Sequence, residues 1–262
     1  MNKKKHFGLE GKKIVLVGAT GILGKVYSHA LAAEGAELVL MDHPNTDIVE
    51  LASELSAHGI KMDLTDEAAI ISSLSEAHGV LGDFDGLINN AAATGENLLK
   101  RGNAFESFEK FPLDAWKYGL DVNLTGTFLM CREAGTKMNK IGSSIINISS
   151  IYGINGPDHR IYENQEFKSM AVYSASKAGV IGLTKWLSTW WADQNIRVNC
   201  VTPGGIYNDH NKEFVEAYSQ RTPLKRMAER EELVGIILFL LSDLSSYCTG
   251  QNYIVDGGYS TW

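Results

Sequence analysis

The apolar run Lys13-Ile14-Val15-Leu16-Val17 passes directly into Gly18-Ala19-Thr20-Gly21-Ile22-Leu23-Gly24, and an amphipathic segment then continues to about Glu34. β-Branched residues favour an extended backbone and glycines break it, so the order is strand, tight turn, helix. Glycines in that turn let the backbone approach a pyrophosphate, and the N-terminus of the following helix meets its negative charge. Gly18, Thr20, Gly21, Ile22, Leu23 and Gly24 are therefore candidates for dinucleotide binding. The plainer alternative is a glycine-rich turn that binds nothing.

The same alternation repeats along the chain. Glu37-Leu38-Val39-Leu40-Met41 reads as a second strand ending at Asp42, and Ile60-Lys61-Met62 as a third ending at Asp63. Further strands are expected over 86–90, 143–148 and 196–200, with helices over 46–57, 66–79, 113–138 and 172–193. Strands alternating with helices of this length imply right-handed βαβ units, hence an α/β fold with a doubly wound parallel sheet and helices on both faces. No linker or shift in composition divides the 262 residues, which predicts a single domain over 1–262. Ligands in such sheets bind beyond the C-terminal strand ends.

Charge and cysteine usage narrow the partners. The net charge is −7 and the one basic cluster is Lys3-Lys4-Lys5, which argues against nucleic acid and acidic membrane surfaces. Cys131, Cys200 and Cys248 have neither pairing nor metal-ligand spacing, so no metal is expected and a reducing compartment is. The apolar run Ile236–Leu241 is too short to span a bilayer, and the N-terminus lacks the apolar stretch of a signal peptide. The expected location is the cytoplasm.

Each strand end carries candidate site residues. Asp42, about twenty residues beyond the glycine turn, is placed to accept the ribose hydroxyls of adenosine. A 2′-phosphate would meet like charge there, and neither Ala19 nor His43 offers a fixed cation, so NAD is favoured over NADP. Asp63, with Leu64, is read either as an adenine contact or as a helix N-cap beside Thr65. Asn90, Ala91 and Ala92 end the fourth strand with small side chains. Pro203-Gly204-Gly205-Ile206 follows the sixth, where Pro203, Gly204 and Ile206 are candidates for a nicotinamide carboxamide or merely terminate the strand. Tyr173 and Lys177 lie four apart in a helical pattern and so share a face, where an ammonium favours a phenolate and suits the tyrosine to general acid/base work. A three-unit drop from the ordinary phenol value would require about 4 kcal/mol of preferential interaction with phenolate.

Taken in order, Gly18/Gly21/Gly24, Asn89-Asn90-Ala91, Asn123, Ser150, Tyr173/Lys177, Pro203-Gly204 and Val255-Asp256-Gly257-Gly258 resemble the short-chain dehydrogenase/reductases along nearly the whole chain. The resemblance implies a Rossmann fold with a seventh strand near 252–255, a homo-oligomer (tetramer or dimer), a small-molecule substrate and hydride transfer at a nicotinamide. It assigns Tyr173 as acid/base, Ser150 as the group orienting the substrate oxygen, Lys177 as ribose ligand and depressor of the tyrosine pKa, and Asn123 as holder of a relay water.

The chain also departs from that family's pattern. Gly-x-x-Gly-x-x-Gly replaces the Gly-x-x-x-Gly-x-Gly of the shorter members, Ala92 stands where a glycine is common, and Asn208 replaces a threonine. Between Ser150 and Tyr173 the chain runs about ten residues long, which invites a functional reading. The polar stretch 156–166 offers His159, Arg160, Tyr162 and Asn164 to a polyhydroxylated or phosphorylated substrate, as part of a substrate loop around 154–172 facing a lid around 205–228. A solvated excursion or a subunit contact is the plainer reading. This loop, with the ending Tyr259-Ser260-Thr261-Trp262, is similar to bacterial members associated with flagellin glycosylation and nonulosonate sugar synthesis. Trp116, Trp186, Trp190 and Trp191 could stack on sugars or serve as core and interface residues. The expected activity is interconversion of a secondary alcohol and a ketone on a sugar or sugar phosphate. The rivals are a 3-oxoacyl-carrier-protein reductase and a non-catalytic dinucleotide-sensing module.

Overall fold

The computed structural model describes residues 7–95, 98, 107–163, 165 and 168–262. Strands β1 (Lys13–Val17), β2 (Glu37–Asp42), β3 (His58–Lys61), β4 (Gly86–Asn89), β5 (Ser143–Ile148), β6 (Ile196–Pro203) and β7 (Asn252–Val255) form one sheet in the order β3-β2-β1-β4-β5-β6-β7. Every adjacent pair is parallel. The helices that return the chain are α1 (Ile22–Ala33), α2 (Ile48–Glu54), α3 (Glu67–Leu81), α4 (Leu113–Leu120), α5 (Gly126–Ala134), α6 (Ala171–Trp190), α7 (Lys212–Arg221) and α8 (Val234–Leu241).

Burial on both faces follows from the alternation within each strand. In β1, Val15 and Val17 join one core with Ile70 and Leu74 of α3, Met130 of α5 and Leu187 of α6. Ile14 and Leu16 join the other, with Tyr27 and Leu31 of α1, Ile48 of α2 and Ile237 of α8. Strands covered on both faces become nearly continuous apolar runs, as this sequence has them.

Register decides where the site lies. Val17 pairs with Met41 and Asn89, Asn89 with Asn147, and Asn147 with Cys200, so these residues form one row across the sheet. The residues that follow that row emerge together at the C-terminal edge. The direction of winding reverses between β1 and β4, which opens a crevice there.

Several boundaries differ from the sequence reading. Strand β6 continues to Pro203, where the missing amide is tolerated at a strand end. Strand β3 begins at His58 because it pairs in register with Val39 of β2, and Ser56 at φ 53° closes α2 early. The long helix expected over 113–138 is interrupted by a π-helical turn at Asp121–Thr125 and ends at Ala134. After β6, Ile206 bridges to Ala228, enclosing a segment that carries α7. That segment packs its Phe214, Tyr218 and Met227 against Ile161 and Tyr162 of a 3-10 turn (His159–Tyr162), together with Ile151 and Tyr259.

Candidate active site

A cavity of about 1010 Å³ runs along the C-terminal strand ends. Gly18, Thr20, Gly21, Ile22, Leu23, Asp42, Asp63, Leu64, Asn90, Ala91 and Ala92 line one part, and Ser150, Tyr173, Lys177, Pro203, Gly204 and Ile206 another. Gly18 adopts φ +78°, and a Cβ there would sit 2.5 Å from the Ala91 nitrogen, so the ends of β1 and β4 can converge only around glycine. Gly24 is not in the wall: its Cβ would lie 2.0 Å from the Gly18 carbonyl oxygen, making it the glycine that lets α1 pack on the turn. Gly21 caps α1 in an extended conformation, with no side-chain cap and no acidic residue in the first turn. The helix therefore presents uncapped amides to the cavity, an arrangement suited to the diphosphate of a dinucleotide.

Asp42 is held by neighbours that its position in sequence does not announce. Its Oδ2 accepts from the Thr20 amide (2.8 Å) and the Thr20 hydroxyl (2.7 Å), and its Oδ1 from the His43 amide (2.7 Å). Oδ1 keeps a further lone pair, so the carboxylate is oriented yet still able to accept from a ribose hydroxyl. Asp63 also lines the cavity, with Oδ1 accepting from the Thr65 amide (2.9 Å) and hydroxyl (2.7 Å) and Oδ2 lying 3.7 Å from His43 Nε2. It is not the helix cap; Asp66 caps α3 by accepting from the Ala69 amide at 3.1 Å. Asn90 Nδ2 donates to the Gly18 carbonyl at 2.9 Å, tying β4 to the glycine turn.

Tyr173 stands in the first turn of α6, and Lys177 Nζ lies 5.7 Å from its ring centroid. Lys177 is 2 % exposed and donates to the Ile148 carbonyl at 2.8 Å. Burial pulls its pKa down to about 8. Burial likewise raises the Tyr173 pKa, and the opposing influence is a hydrogen bond with Ser150, which favours phenolate. The expected lowering of Tyr173 by Lys177 is thus absent from the protein alone: desolvation of the phenol dominates, and the ammonium is itself weakened by burial. Ser149, beside Ser150, donates to the Lys177 carbonyl at 2.8 Å, fastening the end of β5 to α6.

Asn123 has well-defined side-chain partners. It is fully buried in the π turn, where its Oδ1 accepts from the Ala93 amide (2.7 Å) and its Nδ2 donates to the Ala93 carbonyl (3.1 Å) and to Ser176 Oγ (3.1 Å). With both side-chain atoms engaged, Asn123 ties the backbone beyond Asn90-Ala91-Ala92 to α6.

At the third strand end, the Gly204 amide donates to Val255 (2.9 Å) and the Gly205 amide to the Tyr218 hydroxyl (2.5 Å). Of the inserted residues, Tyr162 lines the cavity, whereas His159 and Arg160 do not. His159 is exposed, and Arg160 forms a bidentate pair with Asp158 (2.9 Å for each bond) while its side chain remains 74 % exposed. Asn164 lies outside the described residues. Of the five tryptophans, the four considered as sugar platforms (Trp116, Trp186, Trp190 and Trp191) do not line the cavity. Trp191 is buried in the core, Trp116 packs against the Leu98/Met170/Val172 cluster, and Trp186 and Trp190 stack on the exposed face of α6 with centroids 5.2 Å apart. Tyr152 and Ser169, which the sequence did not single out, do line it. Among the described residues no group of His, Cys, Asp and Glu could hold a metal ion, and no helix is long and apolar enough to cross a membrane.

Comparison with known proteins agrees with this geometry. Residues 18–260 match the family model described as enoyl-(acyl carrier protein) reductase. The chain is 33% identical over 261 residues to a 3-oxoacyl-[acyl-carrier-protein] reductase FabG of Aquifex aeolicus, covering 95% of this chain and 98% of that one. It is 32% identical to a D-arabinitol 2-dehydrogenase [ribulose-forming] of Scheffersomyces stipitis (98% and 96% covered) and 30% identical to post-translational flagellin modification protein A of Campylobacter coli (96% and 99%). A short-chain dehydrogenase from Leptospira borgpetersenii, solved with bound NAD+, superposes with a TM-score of 0.84 at 32% identity, over 97% of this chain and 94% of that one. With a seven-stranded parallel sheet, a dinucleotide-sized crevice and relatives matched along almost their whole length, the chain belongs to the short-chain dehydrogenase/reductase family and is a nicotinamide-dependent oxidoreductase acting on CH–OH groups.

Proposed function

We propose that the protein interconverts a secondary alcohol and a ketone on a sugar or similar polar substrate, with NAD preferred over NADP. The observation that carries this reading is the Ser150–Tyr173 contact in the wall of a cavity that also contains the glycine turn. The chemistry that a bound nicotinamide would supply here is hydride acceptance from the carbinol carbon in oxidation and hydride donation to the carbonyl carbon in reduction. Tyr173 then accepts or supplies the hydroxyl proton, while Ser150 donates to the same substrate oxygen and stabilises the charge that develops on it. Lys177 holds a ribose hydroxyl from its buried position, and Asn123 keeps the strand-four end in register with α6. Gly18, Gly21 and the first turn of α1 hold the diphosphate, Asp42 the adenosine ribose, Asp63 and Leu64 the adenine, and Ala91, Ala92, Pro203, Gly204 and Ile206 the nicotinamide side. The preference for NAD rests on the oriented carboxylate of Asp42, which would repel a 2′-phosphate.

The chain acts as one domain, with the insertion and the 205–228 segment as the substrate-side walls, and it assembles as a homo-oligomer in the cytoplasm. A polar substrate is supported by the hydroxyl-rich wall near Tyr173 and by the D-arabinitol dehydrogenase and flagellin-modification relatives. A second reading, 3-oxoacyl-carrier-protein reduction, is favoured by the FabG relatives. NAD-linked oxidation of polyols and NADH- or NADPH-linked reduction of an acetoacetyl thioester are the two assays that separate them. Tyr173→Phe should lower turnover at least about a thousandfold, within the range of general acid/base catalysis, while retaining NADH affinity. Retained turnover would refute the assignment.

A further inference from the structure

The part of the cavity wall with no role in the cofactor site includes the hydroxyls of Tyr152, Tyr162 and Ser169, which the reaction does not use. Tyr152 follows Ser150 by two residues, Tyr162 comes from the inserted 3-10 turn, and Ser169 precedes Tyr173 by four; all three line the cavity. Tyr152 Oη and Tyr162 Oη are 2.7 Å apart, and either can donate. The Tyr162 side chain is 6 % exposed, and its ring packs against Phe214 of α7 with centroids 5.5 Å apart. Burial raises both phenols, Tyr162 to about 12 and Tyr152 further, so both remain neutral hydroxyls. Ser169 Oγ is buried and has no hydrogen-bond partner among the described residues. A buried hydroxyl left in that condition costs about 1–3 kcal/mol, which a ligand hydroxyl would relieve.

Among the described residues, most cations that would recognise a phosphate or carboxylate are committed elsewhere. Arg160 and Arg221 both bind Asp158, and neither lines the cavity. Lys177 is bound to the Ile148 carbonyl, and the His210 ring stacks on Phe214 at 5.0 Å with Nδ1 facing the Asn208 amide at 3.2 Å. Lys168 reaches the wall only as an exposed residue. The hydroxyls of Tyr152, Tyr162 and Ser169 in this wall are neutral groups that both donate and accept, the complement of substrate hydroxyls.

We propose that Tyr152, Tyr162 and Ser169 form a hydroxyl-recognising subsite, and that the substrate is a neutral polyhydroxylated alcohol or its keto form, with hydroxyls flanking the reacting carbon. The inference rests on the reading of Ser150 and Tyr173 as the reacting pair. A hydroxyl joining the phenol pair extends a hydrogen-bonded chain already closed on the protein side by Phe214 packing. A substrate lacking that hydroxyl leaves the subsite unsatisfied, which is how buried polar sites discriminate strongly.

The test compares the full chain with Tyr162→Phe and Ser169→Ala, using NAD+ with a panel of pentitols and hexitols, their phosphate esters, and cyclohexanol as a monohydric secondary alcohol. Each variant should lower kcat/KM for the best polyol at least about tenfold more than for cyclohexanol, mainly through KM, as loss of one buried hydrogen bond predicts. NADH affinity, unchanged from wild type, serves as the check that each variant has folded. Equal losses on polyol and cyclohexanol, a wild-type preference for the phosphate ester, or no wild-type preference for polyol over cyclohexanol would each overturn the proposal. If no alcohol is oxidised, the assignment of the reacting pair falls. The subsite is then judged by polyol binding to the NADH-loaded chain in calorimetry: binding weakened in both variants sustains it, and unchanged or undetectable binding overturns it.

Discussion

Lys177 allows a test whose sign is fixed by burial. Its ammonium is 2 % exposed, with a single described hydrogen bond, to the Ile148 carbonyl, and its pKa falls from 10.5 to about 8. A lysine whose folded pKa is depressed binds fewer protons in the folded than in the unfolded state between those two values. Stability therefore rises with pH through that window, because the cost of burying the charge is relieved as the amine loses its proton. At about 1.36 kcal/mol per unit, a shift of about 2.5 units is worth about 3 kcal/mol between pH 7 and pH 10.5. Lys177→Met removes the titrating group while keeping an unbranched side chain of similar length. It also leaves the Ile148 carbonyl without its donor, a penalty that is the same at both pH values and cancels in the comparison. Urea unfolding of both proteins at pH 7 and at pH 10.5 should show wild type gaining about 3 kcal/mol relative to the variant on going to the higher pH. Parallel pH profiles, or a relative loss for wild type, would refute the burial argument. The same variant should turn over substrate poorly, so a residue that destabilises the fold at neutral pH is retained for the site.

Two further substitutions examine the cofactor end. Gly24→Ala drives a Cβ to 2.0 Å from the Gly18 oxygen, whereas Gly21→Ala meets that oxygen at 3.4 Å. The first should cost about 3 kcal/mol and lower Tm by roughly 10 °C, and the second should spare Tm while weakening NADH binding; thermal melts and a cofactor titration check both, and equal Tm values would contradict the packing account. Asp42→Ser removes the charge that a 2′-phosphate would face, and it should raise the ratio of NADPH to NADH catalytic efficiency at least about tenfold, about 1.4 kcal/mol. Steady-state kinetics with both cofactors measure it, and an unchanged ratio would remove Asp42 from the account of specificity.

Much of this protein was legible from local pattern alone. Apolar runs followed by Gly18, Asp42, Asn90 and Pro203 placed the strands and marked which end of each would carry ligand groups, because alternation and turn chemistry act over a few residues. The i,i+4 spacing of Tyr173 and Lys177 likewise fixed their shared face. What failed depended on partners distant in sequence. Arg160 looked like a ligand for phosphate, but Asp158 captures it along with Arg221 from α7. The plainer reading of the insertion included a solvated excursion, yet its Ile161 and Tyr162 are buried in a cluster with Phe214, Tyr218 and Tyr259. The partners that engage the Asn123 side chain, Ala93 and Ser176, are likewise set by the fold.

The sequence by itself determined the strand-helix alternation, the glycine turn and the shared helix face of Tyr173 and Lys177, since each is encoded within a few consecutive residues. Only the tertiary structure decided which charges are free to meet a ligand, how strongly burial opposes the Tyr173 phenolate and the Lys177 ammonium, and that Tyr152 and Ser169 face the same cavity as Tyr162. Those outcomes depend on desolvation and on contacts between segments far apart in the chain, and neither quantity exists until the sheet is assembled.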